Sequence, residues 1–195
     1  RLQPTMVEAH KELADYYFYA PAIGGGSKSK SADILADINE IDEFSYFLYQ
    51  GGYQLNEGNW QGAKEAYLEA LKLKPELSAP LLQLGIVNRR LQLYQESQQA
   101  LDRAFEINPE ETMALFHLGL LGLSEDSFFE ASINGFERYI DIVGKAGGPY
   151  LDQAHYRMGQ LWQRQGNSRN AAEYYRRAIE LNSEYDAARE ALESL

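Results

Sequence analysis

A period of 34 residues runs through the middle of this sequence. Gly51, Gly85 and Gly119 are 34 residues apart, and Pro75 and Pro109 keep the same interval. A fixed period of this length is typical of stacked supersecondary units, each of which buries its apolar face against its neighbours. The chain is therefore expected to form an array of repeats, and such arrays present extended surfaces to binding partners.

Each repeat is predicted to contain two short helices joined by a tight polar turn. Gly58 and Gly166 lie in the first and the last of these turns, where a helix end commonly needs a residue in the left-handed conformation. Small residues such as Ala63 and Ala70 would let the paired helices approach closely, and Tyr67 would fill the space between them. The pattern predicts an all-α protein.

This pattern resembles the tetratricopeptide repeat family. The matching residues are small, aliphatic or aromatic side chains and prolines at fixed places in the first, second and fourth repeats: Phe47, Gly51, Gly58, Ala63, Tyr67, Ala70 and Pro75; Leu81, Leu84, Gly85, Leu101, Ala104 and Pro109; Met158, Gly159, Gly166, Ala171, Tyr175 and Ala178. The resemblance implies a right-handed superhelical solenoid of about four helix pairs with flanking helices. The segments expected from it are repeats at about 44–77, 78–111, 112–145 and 152–185, and a capping helix at 184–195.

The residues before the repeats are predicted to form an aromatic helix within 1–22, a flexible Gly/Ser/Lys linker at 23–31 and a second helix at 32–43. Two arrangements of the first helix stay open. It could fold back into the partner groove, or it could pack as an ordinary extra helix on the first pair. A variant of the first arrangement is that the glycine stretch is an engineered join that carries a ligand.

The third repeat departs from the period, because Gly119 and Gly159 are 40 residues apart. One extra residue is expected in the turn at 124–127 and the others in a glycine-rich connection at 144–149. A loop insertion is preferred over a splayed third pair, since loops absorb added residues cheaply. Ser132 and Tyr139 occupy places where small residues are usual.

In the family that this chain resembles, the first helix of each pair lines a concave face, which implies a peptide-binding groove. The predicted groove residues are Leu48, Tyr49, Leu82, Gln83, Ile86, Arg89, Met113, Phe116, His117, Leu120, Tyr156, Arg157, Gln160 and Arg164. The apolar members would form a central strip with arginines at its border, which suits an amphipathic helix or an acidic peptide. The alternative is that the strip is buried by the curvature of the array.

Composition restricts the kind of partner. The formal net charge of -11 argues against binding to a nucleic-acid duplex, which requires a basic surface. No apolar run is long enough to cross a bilayer. The chain begins at Arg1 without an initiator Met, which indicates a processed or cut form. A soluble cytoplasmic location is slightly favoured over a processed periplasmic or membrane-anchored form.

No constellation of residues points to catalysis. The sequence has no cysteine, its three histidines are scattered, and no metal-ligand spacing or nucleophile motif is found. Neither an enzyme nor a bound cofactor or metal is expected. The expected function is a protein–protein interaction scaffold, adaptor or assembly factor that holds a partner peptide or helix. The alternative is a structural subunit that self-assembles through its end helices or N-terminal arm, and the oligomeric state stays open.

Overall fold

The computed structural model describes residues 4–146 and 148–195, and these residues form helices and connections without a strand. Arg1, Leu2 and Gln3 of the predicted N-terminal segment, and Gly147 of the predicted connection, lie outside this description. The helices are α1 (Pro4–Tyr19), α2 (Lys28–Ile41), α3 (Glu43–Asn56), α4 (Trp60–Leu73), α5 (Ser78–Arg90), α6 (Tyr94–Ile107), α7 (Thr112–Gly119), α8 (Leu121–Ser124), α9 (Phe129–Ala146), α10 (Leu151–Arg164), α11 (Ser168–Leu181) and α12 (Asp186–Glu193). The predicted all-α class is confirmed.

The helices belong to two compact units, of which the first ends at Leu91 and the second begins at Gln92. In the first unit, α1 pairs with α2 and α3 pairs with α4, and in the second unit α7 pairs with α9 and α10 with α11. We call the first helix of each pair the leading helix and the second the trailing helix. Each trailing helix also packs on the next leading helix within its unit, as α2 does on α3, α4 on α5, α6 on α7 and α9 on α10. The terminal helix α12 packs on α11 in the same way.

Three of the glycines at this position of the repeat mark the places where a leading helix touches an aromatic ring of its trailing helix. These pairs are Gly51 with Tyr67, Gly119 with Phe136 and Gly159 with Tyr175. A Cβ atom at Gly51 would lie 2.6 Å from the ring of Tyr67, which is closer than real Cβ contacts allow. Because the three rings are almost fully buried, they cannot move away, and the close approach requires glycine at each position.

The turns within the pairs have the predicted left-handed residues. Gly58 has φ 74° and Gly166 has φ 73°. In both turns the next residue caps the trailing helix, since the side-chain oxygens of Asn59 and Asn167 accept hydrogen bonds from backbone N–H groups in its first turn. The corresponding turn of the second repeat has no glycine, and Gln92 takes φ 62° there.

The prediction of a flexible linker at 23–31 is wrong in its second half. Helix α2 begins at Lys28, and Ser27 caps it by accepting a hydrogen bond from the backbone of its first turn. Ser31 is only 1% exposed, and its hydroxyl donates to the carbonyl of Ala14 in α1 at 3.0 Å. The hydrogen bond from Ser31 fixes the start of α2 on α1. The Gly/Ser/Lys composition of 23–31 does not reveal this contact.

Helix α1 packs as an extra helix against α2 and α3. Ala14 of α1 forms one buried cluster with Leu35 and Ile38 of α2 and Tyr53 of α3, against which Phe18 also packs. The ring of Phe18 stacks on that of Tyr53, with ring centres 4.4 Å apart. The α1–α2 pair is thus a further helix pair at the start of the first unit.

A serine side chain interrupts the leading helix of the third pair between α7 and α8. The backbone N–H of Gly122 donates to Ser132 Oγ at 2.5 Å, and the hydroxyl of Ser132 donates to the carbonyl of Leu118 at 3.1 Å. Leu118 and Gly122 are four residues apart, the spacing of an ordinary α-helical hydrogen bond. The hydroxyl has therefore entered the backbone ladder, which is a known cause of helix kinks.

The residues added to the third repeat lengthen its trailing helix, and the prediction of a loop over the whole of 144–149 is wrong. Helix α9 has 18 residues, whereas α4 has 14. Its additional turn is anchored by Val143, which is 6% exposed, and the N–H of Gly148 donates back to the carbonyl of Val143. The hydroxyl of Tyr139 donates to the carbonyl of Pro149 and so holds the short connection on the helix.

Candidate peptide-binding surfaces

In the first unit, the predicted groove residues are not evenly exposed. Leu82 is 8% exposed and therefore does not offer uncovered apolar surface, in contrast to the prediction. The other predicted residues of this unit are half-buried: Leu48, Tyr49, Gln83, Ile86 and Arg89.

Tyr49 is partly covered by α1. It packs against the cluster that contains Ala14 and Tyr53, and Lys11 Nζ lies 5.6 Å from the centre of its ring. Burial raises the pKa of the Tyr49 hydroxyl, and the nearby Glu8 acts in the same direction. The extra helix α1 thus occupies part of the surface of α3 that the sequence assigned to a partner.

In the second unit, Phe116 belongs to the core, and its prediction as uncovered groove surface is wrong. It is 7% exposed, and its ring centre lies 5.6 Å from that of Phe136, 5.3 Å from that of Tyr139 and 5.9 Å from that of Tyr150. Tyr150 comes from the connection that follows the lengthened α9, so the residues added to this repeat help to cover Phe116. Three predicted residues on or just after α7 are half-buried: Met113, His117 and Leu120.

A depression of about 430 Å³ lies between α8 and α10 and contains three of the predicted residues. Leu123 of α8 forms one wall, and α10 supplies Arg157, Gln160, Gln163 and Arg164. They lie together because the opposite face of α10 is buried through apolar side chains, namely Ala154, Met158 and Leu161. An amphipathic helix of this kind presents its polar residues on the remaining face.

Arg164 lines the depression, but its guanidinium is already engaged by α8 and the residues after it. It donates to the carbonyl of Leu123 at 2.5 Å and to that of Gly122 at 3.2 Å, and it pairs with Asp126 at 2.6 Å. These carbonyls are at the C-terminal end of α8, where a cation is favourable. Arg164 therefore ties α10 to α8 and is not the available cation that the sequence predicted.

Arg157 is the cation of the depression that has no carboxylate within ion-pair distance among the described residues. Its Nη1 donates to Gln160 Oε1 at 2.8 Å, and its guanidinium lies 5.4 Å from the centre of the Tyr156 ring. Gln160 in turn donates to the hydroxyl of Tyr156 at 3.0 Å, and the Tyr156 ring packs 5.0 Å from that of Tyr185. This network holds the guanidinium in place before any ligand arrives.

A second depression of about 430 Å³ lies on α10 and α11. Its residues are His155, Glu173, Tyr174, Arg176, Arg177 and Glu180. Burial lowers the pKa of His155 to about 4, the charge of Arg177 acts in the same direction, and Glu180 opposes it. The structure thus keeps His155 neutral at physiological pH. Because Arg177 pairs with Glu180 at 2.6 Å, opposite charges are already matched here.

Two further features of the described residues bear on function. They contain no group of three His, Asp or Glu side chains arranged to hold a metal ion. Across the same part of the chain, every helix is too short or too polar to span a bilayer.

Residues 153–185 match the family model described as tetratricopeptide repeat. Among solved structures, residues 41 to the end of MamA from Desulfovibrio magneticus RS-1 have 19% sequence identity and a TM-score of 0.74, covering 92% of this chain and 97% of that one. YrrB, a TPR protein with an unusual peptide-binding site, has 20% identity and a TM-score of 0.71, covering 86% and 84%. PilF from Pseudomonas aeruginosa has 16% identity and a TM-score of 0.69, covering 97% and 82%. No curated protein matches the sequence significantly.

The class of this molecule is therefore a helix-pair repeat protein with the fold of the tetratricopeptide repeat proteins. The resemblance seen in the sequence is confirmed by the match at 153–185 and by the fold of these structures.

Proposed function

We propose that this chain is a protein–protein interaction scaffold, in the role of an adaptor or assembly factor, and that its second unit binds an acidic peptide at the depression around Arg157. The observation that carries this proposal is the oriented guanidinium of Arg157, which faces no carboxylate among the described residues. Helix-pair repeat folds are used to hold partners, and the structurally similar YrrB has a peptide-binding site.

The depression has the chemistry that an extended acidic peptide needs. A carboxylate would accept charge-assisted hydrogen bonds from the guanidinium donors of Arg157 that Gln160 does not use. The hydroxyl of Tyr175 donates to Gln163 Oε1 at 2.6 Å and so holds the side-chain amide in place. This amide adds a second polar contact for the peptide. Leu123 provides an apolar wall for a neighbouring side chain. A volume of about 430 Å³ accommodates a few side chains.

The test is the selection of peptides from a phage-displayed random library on the intact protein, followed by titration of a selected peptide. The proposal predicts enrichment of peptides with Asp or Glu. Arg157→Ala should weaken their binding about tenfold or more, because a hydrogen bond to a charged group contributes about 1.5–3 kcal/mol.

Arg169→Ala is the matched control, since it removes the same charge from an exposed position of α11. Circular dichroism and thermal unfolding of both variants should match the wild type. Selected peptides without acidic residues, or equal losses of affinity in the two variants, would contradict the proposal.

A further inference from the structure

The first unit exposes an unusual amount of apolar surface on its first helix. Met6 is 42% exposed, Leu13 is 46% exposed and Tyr16 is 50% exposed. Surface apolar residues are normal when they are scattered singly, whereas a contiguous group marks an interaction surface.

These residues form one continuous stripe. Met6, Ala9, Leu13 and Tyr16 follow each other at intervals of three, four and three residues, which places them in one row along a helix. We call this row the α1 stripe. The stripe runs from Met6 to Tyr16 within this helix and so extends over about three turns.

The stripe is not required by the core of the first unit. The residues of α1 that contact α2 and α3 lie on the other side of the helix, where Val7, Ala14 and Phe18 join the cluster around Leu35 and Ile38. Each later leading helix, and α12, is packed against the helix that precedes it in the chain.

Acidic residues border the stripe on both sides. On α1 itself, Glu8 and Glu12 are exposed, and Glu12 immediately precedes Leu13. On α2, Asp33 and Asp37 are also exposed, and they follow Lys30 by three and seven residues, which places all three on one face of the helix.

We call Lys30, Asp33 and Asp37 the α2 row. Its position next to the stripe is shown by Lys30 Nζ, which lies 5.2 Å from the centre of the Tyr17 ring. That ring is in turn 5.3 Å from the ring of Tyr16, a member of the stripe. Lys30 is a basic residue at the start of the α2 row, followed by Asp33 and Asp37. Lys11 of α1 is paired with Asp15 at 2.8 Å on the side that faces α3.

We propose that the α1 stripe docks an amphipathic helix of a partner protein, with an apolar seam that packs on the stripe and Lys or Arg residues on both flanks. The acidic borders select a basic occupant by charge complementarity. A second copy of this chain fits less well, because a two-fold arrangement would place the carboxylates of one copy against the same carboxylates of the other. The surface belongs to residues 1–91 and is a different site from the depression around Arg157.

The experiment uses a labelled synthetic helix of about three heptads, with Leu at positions a and d and Lys at positions e and g. A scrambled peptide of identical composition has the same charge but no apolar seam. Both are titrated with the intact protein by fluorescence anisotropy, at peptide concentrations low enough to keep the peptide monomeric. The heptad peptide should bind and the scrambled one should bind much more weakly.

Variants of the protein locate the site. Met6→Gln/Leu13→Gln should weaken binding about tenfold or more, whereas Leu68→Gln/Leu73→Gln should leave it unchanged. The control pair is matched because Leu68 and Leu73 of α4 are 39% and 44% exposed. Asp33→Asn/Asp37→Asn should weaken binding and reduce its dependence on salt, unlike Glu65→Gln/Glu106→Gln at exposed positions of α4 and α6.

Two results would overturn the proposal. Equal binding of the scrambled peptide, or equal losses in the Met6/Leu13 and Leu68/Leu73 variants, would show that the attraction is unspecific. Sedimentation of the protein alone is the second measurement. A dimer that Met6→Gln/Leu13→Gln abolishes would assign the stripe to a second copy of the chain.

Discussion

Gln92 adopts a left-handed backbone conformation at a position where the corresponding turns have glycine. It has φ 62°, close to the values of Gly58 and Gly166 in the corresponding turns of the first and fourth repeats. A left-handed conformation costs an L-residue about 1 kcal/mol relative to glycine. The side chain of Gln92 is exposed, so little packing energy offsets this cost.

Gln92→Gly should therefore raise the free energy of unfolding by about 0.5–1 kcal/mol. The measurement is chemical denaturation of the variant beside the wild type. Gly58→Ala is the converse variant and should lower the free energy of unfolding by about 1 kcal/mol. A loss of stability in Gln92→Gly would show that contacts of the glutamine outweigh the backbone strain.

Two adjacent glycines of α3 provide an internal comparison. A Cβ atom at Gly51 would lie 2.6 Å from the buried ring of Tyr67, whereas at Gly52 no atom would lie within 4 Å. Gly51→Ala should lower the free energy of unfolding by about 2 kcal/mol through overpacking, and Gly52→Ala should raise it by about 0.5–1 kcal/mol through helix propensity. Thermal unfolding of the two variants checks the opposite signs, and equal shifts would contradict the close approach.

At the scale of the element, the interruption between α7 and α8 depends on a contact with α9. Ser132 is fully buried, and its hydroxyl replaces a direct backbone bond from Gly122 to Leu118. Arg164 of α10 then stabilises the end of α8 through the carbonyls of Gly122 and Leu123. The short helix α8 thus owes its position to side chains of two other helices, and the depression around Arg157 depends on that position.

Ser132→Ala should lower the free energy of unfolding by about 1–3 kcal/mol, because it leaves a buried N–H and a buried carbonyl without their bridging hydroxyl. Hydrogen exchange at the amide of Gly122 should also become faster. Ser127→Ala, at an exposed position of the following turn, should change neither quantity. An unchanged stability together with slower exchange would show that α7 and α8 join into one continuous helix in the variant.

At the scale of the whole molecule, the net charge of -11 and one buried histidine both make stability depend on pH. Burial lowers the pKa of His155 from its ordinary value of 6.5 to about 4. The unfolded chain therefore binds a proton at this residue before the folded chain does as the pH falls. The side chain is affected by Arg177 and Glu180 of α11, and it shares a depression with Asp141 and Lys145 of α9.

The contribution of His155 to stability is fully present above about pH 6.5 and is lost as the pH falls toward 4, by about 3 kcal/mol in total. Protonation of the surface carboxylates reduces the repulsion from the net charge and acts in the opposite direction. The comparison between variants is therefore decisive. His155→Leu should reduce the loss of stability between pH 6.5 and 4. Identical profiles for wild type and His155→Leu would contradict this assignment.

Several parts of the fold could be predicted from sequence because they depend on nearby residues. In the first and fourth repeats, a glycine beneath an aromatic ring comes seven residues before a left-handed glycine in the turn, and this spacing can be counted in the sequence. Gly51, Gly58 and Gly159 therefore lie where the repeat predicts them. The resemblance to the repeat family assigned Arg157 and Gln160 to one face of a leading helix, and both lie on α10 opposite its buried apolar side chains.

Other features depend on segments that meet only after the chain has folded. Phe116 is buried because Tyr139 and Tyr150 reach it from α9 and from the connection after it. Arg164 is engaged because the carbonyls of Gly122 and Leu123 come within its reach at the end of α8. Ser31 is buried because α1 packs on α2, where the carbonyl of Ala14 accepts its hydroxyl. Burial and pairing are properties of distant contacts, so a periodic pattern predicts which helices pair. It does not predict which side chains remain available to a partner.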